Sequence, residues 1–136
     1  MDTQTADEFD AGELKFPKEF ENAETLNLSE VAHLLKSRKE QNESAEHELE
    51  VSEVFEKTYT HANQFAKFKH KEIIESVRQS ASSLQLHPFE LASLTSIVPE
   101  TAEEAKCLIK SLEARIDDKS LQNLLDEMQS NKNYQT

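Results

Sequence analysis

Glu30 and His33 form the one E-x-x-H match in the sequence, a spacing that can bind a metal on a helix. An E-x-x-H pair places a carboxylate and an imidazole one turn apart, as in di-iron helical bundles. Such bundles need a second E-x-x-H pair and two further inward glutamates, and the sequence contains no second pair. The H-E-x-x-H pattern of zinc proteases is also missing. We therefore interpret Glu30 and His33 as part of a polar helical face.

Two catalytic motifs that need several glycines are excluded by the composition. With 1 glycine, the chain can form neither a glycine-rich phosphate loop nor a nucleophile elbow. The lone cysteine, Cys107, precedes Leu108 and Ile109, and we expect it to be a buried, unreactive thiol. A single cysteine excludes an intramolecular disulfide and fits a reducing compartment. We predict no catalytic residue, no metal and no cofactor.

A short basic stretch, residues 67–71, has a composition that could contact RNA. Phe68 stands between Lys67 and Lys69, and an aromatic ring between lysines can stack on a base while the lysines meet phosphates. The simpler interpretation is a helix end at which cations offset the helix dipole. The formal net charge of -12 also opposes binding to nucleic acid. A weak RNA contact by Lys67, Lys69 and Lys71 remains the alternative.

The elements that position these residues are predicted to be helices. Sheets need frequent turns, and 1 glycine with 3 prolines among 136 residues supplies few of them. Apolar residues recur every three or four positions over residues 51–66, a stripe expected to face a core. The same period predicts further helices over residues 73–84, 88–97, 102–109 and 118–128. The fold class is therefore predicted to be all-α, a compact helical bundle.

Four residues are candidates for helix starts. Ser29 is a suitable N-cap for a helix that contains Val31, and Pro88 suits the first position of another. Thr101 with Glu104 three residues later forms a capping-box pattern. Asp117 precedes the last helix. The polar stretch 36–50 is consistent either with a helix continuation or with a flexible link.

The chain divides into three predicted parts. Residues 1–13 form an acidic tail that we expect to be disordered, residues 14–47 a partner-docking segment with a helix, and residues 48–136 the helical domain. Pro17 and irregular apolar spacing favour an extended docking segment, on the bundle itself or on a partner. The predicted partner-interface residues are Leu14, Phe16, Phe20, Leu26, Leu28, Val31, Leu34 and Leu35.

The net charge and the length of the apolar runs indicate which kinds of partner the chain can contact. An acidic chain should meet basic or apolar protein surfaces. The acidic N-terminus lacks the apolar stretch of a signal peptide, and no apolar run approaches the roughly 18 residues that span a bilayer. We therefore expect no membrane contact.

Several long strings resemble the fourth-subunit family of RNA polymerase II. They are LKFPKEFENAETL (14–26), SEV (29–31), KEQNESAE (39–46), LHPFELA (86–92) and PETAEEAK (99–106). The resemblance runs from about residue 14 to about residue 129 and implies a helical domain similar to the helicase-and-RNase-D C-terminal (HRDC) type.

The resemblance also implies a function without catalysis. Members of this family pair with the polymerase's seventh subunit, which carries an oligonucleotide-binding barrel. The pair forms a stalk near the clamp and the RNA exit path and supports initiation, with RNA contacted mainly by the partner. A nuclear location is implied, with a cytoplasmic role in addition. The alternative interpretation is a free-standing helical module that binds nucleic acid.

Overall fold

Helical periodicity along the sequence corresponds to six α-helices in the computed structural model, which describes residues 9–134. The helices are α1 Leu28–Glu43, α2 Glu53–Phe65, α3 Lys71–Ser82, α4 Pro88–Ile97, α5 Ala102–Leu108 and α6 Asp118–Tyr134. Short 3-10 turns occupy Ala11–Glu13, Lys18–Phe20 and Lys110–Leu112. No β-strand occurs within residues 9–134, so the predicted all-α class is confirmed. The likeness to the HRDC type stays a prediction.

The main core lies among α3, α4, α5 and α6. Helices α3, α5 and α6 turn an apolar face inward, whereas α4 buries Glu90 and Thr95 beside its leucines. The buried core residues are Phe68, Ile74, Val77, Ala81, Leu91, Leu94, Val98, Ala102, Ala105, Ile109, Leu112, Leu121, Leu124, Leu125 and Met128. Among the described residues no helix is both long and apolar enough to cross a bilayer.

The apolar stripe of α2 packs against α1 and contributes no side chain to that core, contrary to expectation. Ala62 is the one buried residue of α2, whereas Val54 is 75% exposed. Lys39 of α1 places its Nζ 5.4 Å from the ring centroid of Tyr59, a cation–π contact. The two helices form a hairpin joined by residues 44–52. The sequence period predicts a buried side but not which neighbour covers it.

The connection between α1 and α2 is closed by one side chain. Helix α1 continues through the polar stretch as far as Glu43, and a loop follows. The Asn42 side-chain amide donates to the Leu49 carbonyl at 2.8 Å, and the Leu49 N–H donates to Asn42 Oδ1 at 2.9 Å. This pair of hydrogen bonds closes the chain around residues 43–48, and residues 50–52 then lead into α2.

Helix α1 begins two residues earlier than the sequence pattern predicts. Asn27 is the N-cap, and it forms a reciprocal capping box with Glu30. The prediction of Ser29 as N-cap is therefore wrong. The buried Ser29 hydroxyl instead accepts the backbone N–H groups of Lys67 and Phe68, at 3.1 and 3.0 Å. Asn and Ser cap equally well, and long-range contacts decide between them.

The other predicted helix starts are confirmed. Pro88 is the first residue of α4, and the side chain of His87 caps it. Thr101 Oγ1 accepts the Glu104 N–H at 3.1 Å, which confirms Thr101 as the N-cap. The Glu104 carboxylate accepts the N–H of Glu100 and not that of Thr101, so the prediction of a reciprocal capping box is wrong. An Asp117 carboxylate oxygen accepts the Ser120 N–H at 2.9 Å at the start of α6.

Glu90 in α4 is a fully buried carboxylate, and both of its oxygens accept hydrogen bonds. It accepts hydrogen bonds from the His87 N–H at 2.8 Å and the Ser111 hydroxyl at 2.6 Å. The Arg115 guanidinium lies 3.1 Å from the same carboxylate and balances its charge. This cluster joins α4 to the segment that follows α5.

The chain before α1 lies on the bundle. Residues 1–8 of the predicted acidic tail lie outside the described residues. The Ala11–Glu13 turn is capped by the Asp10 side chain and lies beside the Lys110–Leu112 turn. The predicted boundary after residue 47 falls between two helices that pack together, and the division into parts stays a prediction.

Candidate partner interface

The segment that precedes α1 is seated on the N-terminal end of α4 by an aromatic cluster. The ring of Phe16 stacks on His87, with 5.5 Å between centroids, and lies 5.1 Å from the ring of Phe89. Pro17 keeps this part of the chain out of a regular α-helix. Phe16 is therefore partly covered by the chain's own bundle.

Arg78 of α3 fastens the same segment further along. Its guanidinium donates to the Thr25 carbonyl at 2.6 Å and to both carboxylate oxygens of Glu30. The hydrogen bond with Glu30 raises the pKa of Arg78, so the guanidinium stays charged. The Thr25 hydroxyl donates to the Pro88 carbonyl at 3.0 Å. These contacts hold residues 25–30 across α3 and α4.

The buried end of the segment is Asn27. Its amide donates to the Thr95 hydroxyl at 3.1 Å, and the following backbone N–H, of Leu28, donates to the Ser96 hydroxyl at 3.1 Å. The segment therefore enters α1 at a fixed point beside the C-terminal half of α4.

The eight predicted interface residues fall into two groups. Phe20, Leu26 and Leu34 are 63%, 46% and 45% exposed. The others are partly covered by the chain itself: Leu14, Phe16, Leu28, Val31 and Leu35. Most of the predicted interface residues are thus partly covered by the bundle of the chain itself. The exposed group is the part that a partner could cover.

Phe20 and Leu26 flank an apolar groove on the α4 side of the molecule. The groove has a volume of about 510 Å³, and Phe16, Pro88 and Phe89 also line it. Its walls combine aromatic rings with small side chains of α4. Such a surface can accept an apolar side chain from another protein.

Exposed apolar residues also occur where the sequence interpretation placed none of the interface. On and before α2 they are Leu49, Val54 and Phe65, and on α4 and α5 they are Ile97 and Leu108. The sequence period marked the α2 residues as core positions, so it gave no signal that they face outward.

The predicted RNA-contact lysines lie at the α2–α3 connection. Lys67 and Lys69 belong to the connection itself, and Lys71 is the first residue of α3. Phe68 between them is 1% exposed and belongs to the core. It therefore cannot stack on a base, which removes the stacking platform that the sequence suggested.

The residues considered for metal binding or nucleophilic chemistry lie in surroundings that suit neither role. Glu30 pairs with Arg78, while His33 is exposed on α1. Cys107 is exposed, so the expectation of a buried thiol is wrong. Helix α5 turns Ala102 and Ala105 inward and leaves position 107 outward. Within residues 9–134 no group of three or more His, Cys, Asp or Glu residues could hold a metal ion.

Comparisons with known proteins match nearly the whole chain. A sequence model of the family described as RNA polymerase Rpb4 matches residues 25–132. DNA-directed RNA polymerase II subunit rpb4 of Dictyostelium discoideum is 37% identical over 137 residues, covering 90% of this chain and 88% of the relative. The Schizosaccharomyces pombe subunit rpb4 is 36% identical over 129 residues, covering 94% and 95%. RNA polymerase II subunit 4 of Arabidopsis thaliana is 32% identical over 134 residues, covering 95% and 97%.

Proposed function

The chain belongs to the RNA polymerase Rpb4 family, and from this membership we propose that it forms the stalk heterodimer of RNA polymerase II with the polymerase's seventh subunit. Membership supports a non-catalytic subunit role in that enzyme. The heterodimer docks near the clamp and the RNA exit path and supports initiation of transcription. Its place of action is the nucleus.

The exposed apolar surface around Phe20 and Leu26 is the observation that supports a heterodimer. Moving a large apolar side chain from water into a packed site contributes roughly 1.5–3 kcal/mol. The two side chains are 63% and 46% exposed and share one groove. Burying them against a partner is therefore favourable. The groove is already held in shape by Phe16 and Thr25, which reduces the ordering cost of association.

Co-expression of the tagged chain with the seventh subunit tests this proposal. Replacing Phe20 and Leu26 together by Ser should abolish or strongly reduce co-purification, because the groove loses its apolar rim. Leu34→Asp, made separately, should weaken pairing by placing a charge on the exposed side of α1. None of these side chains is buried in the isolated chain, so circular dichroism should stay unchanged.

The matched control replaces Leu49 and Leu108 by Ser, since these are exposed apolar residues on elements that do not line the apolar groove. The control should pair as the unmodified chain does. If the Phe20/Leu26 and Leu34 variants also pair with unchanged affinity, the interface lies elsewhere. The exposed face of α2 with Val54 and Phe65 is then the next surface to test.

Contact with nascent RNA is proposed to run mainly through the partner. The chain carries a net charge of -12, and the aromatic residue among its clustered lysines is buried. The isolated chain should therefore bind single-stranded RNA much more weakly than the heterodimer at physiological salt. Equal binding by the isolated chain, lost on replacing Lys67, Lys69 and Lys71, would favour the alternative of a free-standing nucleic-acid-binding module.

A further inference from the structure

A second groove, with cationic walls, lies between α1 and the start of α3. It has a volume of about 500 Å³, within the range of clefts that hold ligands. The buried residues Phe68 and Ile74 contribute to its lining. We call this feature the basic groove.

The walls of the basic groove differ in charge from the chain as a whole. Its positively charged or titratable lining residues are His33, Lys36, Lys69, His70 and Lys71, and its one lining carboxylate is Glu40. The five are exposed, so they can reach a bound molecule. The chain itself has 27 acidic against 15 basic residues. A local reversal of sign in a cleft focuses the electrostatic field and favours an anionic occupant.

The basic groove is separate from the apolar groove beside Phe20. The two grooves share no lining residue. An occupant of the basic groove would therefore leave the apolar groove free.

The chemistry of the walls distinguishes between two anionic occupants. A single-stranded nucleic acid uses aromatic platforms for its bases, and the lining phenylalanine, Phe68, is buried. The carboxylate of Glu40, which lines the groove, would repel a continuous phosphate backbone. Asn63 and Ser37 offer amide and hydroxyl groups that suit a peptide main chain. Carboxylate side chains spaced along a peptide can meet the lysines and avoid Glu40.

We propose that the basic groove binds a short acidic segment of another polypeptide, rich in Asp and Glu. Lys36 on one wall and Lys71 on the other hold carboxylates from both sides. Most of the attraction comes from partly exposed ion pairs, so binding weakens as salt rises. This site goes beyond the proposed heterodimer and does not depend on it.

Fluorescence anisotropy of the full chain with a labelled ten-residue peptide of alternating Glu and Ser tests the proposal, in low-salt buffer. The unmodified chain should bind this peptide in preference to hexauridylate RNA, which carries about the same number of charges, and to a control peptide of alternating Gln and Ser. Replacing Lys36, Lys69 and Lys71 together by Ser should reduce affinity roughly tenfold or more. The matched control replaces Lys18, Lys57 and Lys119 by Ser, which changes net charge equally, and should reduce affinity by less than about twofold.

Three outcomes would overturn the proposal: no binding, an equal loss in both triple variants, or tighter binding of the RNA. Should the groove variant unfold, amide chemical shifts of the unmodified chain still decide the question. Peptide addition should shift the resonances of Lys36, His70 and Lys71. Shifts confined to other surfaces would contradict the assignment.

Discussion

At the scale of single residues, Ser29 is a structural acceptor inside the molecule. Its hydroxyl oxygen receives the N–H groups of Lys67 and Phe68, which join α2 to α3. Ser29→Ala leaves these two donors without that acceptor and should destabilise the fold by about 1–3 kcal/mol. Urea unfolding followed by circular dichroism measures the change. Ser76→Ala, on an exposed position of α3, is the control and should change stability by less than about 0.5 kcal/mol.

Asp117 gives the fold a component of stability that acid removes. Its pKa is lowered, chiefly because its carboxylate accepts the backbone N–H of Ser120. The unfolded chain therefore takes up this proton at a higher pH than the folded chain, and protonation favours unfolding. The component is complete above the ordinary carboxyl pKa of about 3.9 and is lost as the pH falls through the lower folded pKa.

Asp117→Asn isolates this effect, because asparagine also caps helices well and does not titrate. The unmodified chain should lose more stability than the Asn variant as the pH is lowered through the carboxyl range. Thermal unfolding of both proteins at matched ionic strength checks the difference. Parallel decline of the two midpoints would show that the Asp117 carboxylate does not contribute.

At the scale of elements, α5 depends most on its cap because it has only 7 residues. Thr101 Oγ1 satisfies the Glu104 N–H in its first turn. Thr101→Ala should cost about 0.5–2 kcal/mol, whereas Thr101→Ser keeps the oxygen and should cost much less. Equilibrium unfolding in urea provides the comparison. Equal losses in both variants would mean that methyl packing, and not capping, is the role of Thr101.

The helices were predictable because their signals are local. Pro88, Thr101 and Asp117 act within one turn of their own positions, so spacing alone identified them. The packing partner of each helix was not predictable in this way. The choice of Asn27 over Ser29 as cap rests on contacts with residues about forty to seventy positions away. No periodicity within a helix carries that information.

For the candidate interface, the sequence indicated the segment but not its contacts with the bundle. Apolar composition identified the segment around Phe20 and Leu26, which is exposed as expected of a docking surface. The sequence could not reveal that Phe16 packs on His87 and Phe89, because that contact depends on the tertiary fold. The basic groove likewise unites α1 with a connection more than thirty residues further along.

At the scale of the whole molecule, the α1–α2 hairpin and the main core should differ in local stability. Helix α2 buries only Ala62, whereas α6 buries Leu121, Leu125 and Met128 completely. Few buried apolar contacts make local opening easy. Native-state hydrogen exchange should therefore release the amides of α2 well before those of α6. Uniform protection across both helices would contradict this expectation and indicate a single cooperative unit.

The clasp between Asn42 and Leu49 makes the α1–α2 loop a natural site for variation in chain length. Two hydrogen bonds, of 2.8 and 2.9 Å, close the chain around residues 43–48, so residues added within that span need not disturb either helix. Each doubling of a flexible loop costs only about 0.6 kcal/mol in closure entropy. A glycine-serine insertion after Ala45 should thus lower the melting temperature by no more than a few degrees. The same insertion in the Asn42→Ala variant should lower the melting temperature further. That variant lacks the two hydrogen bonds to Leu49 that hold the chain on either side of the insertion together.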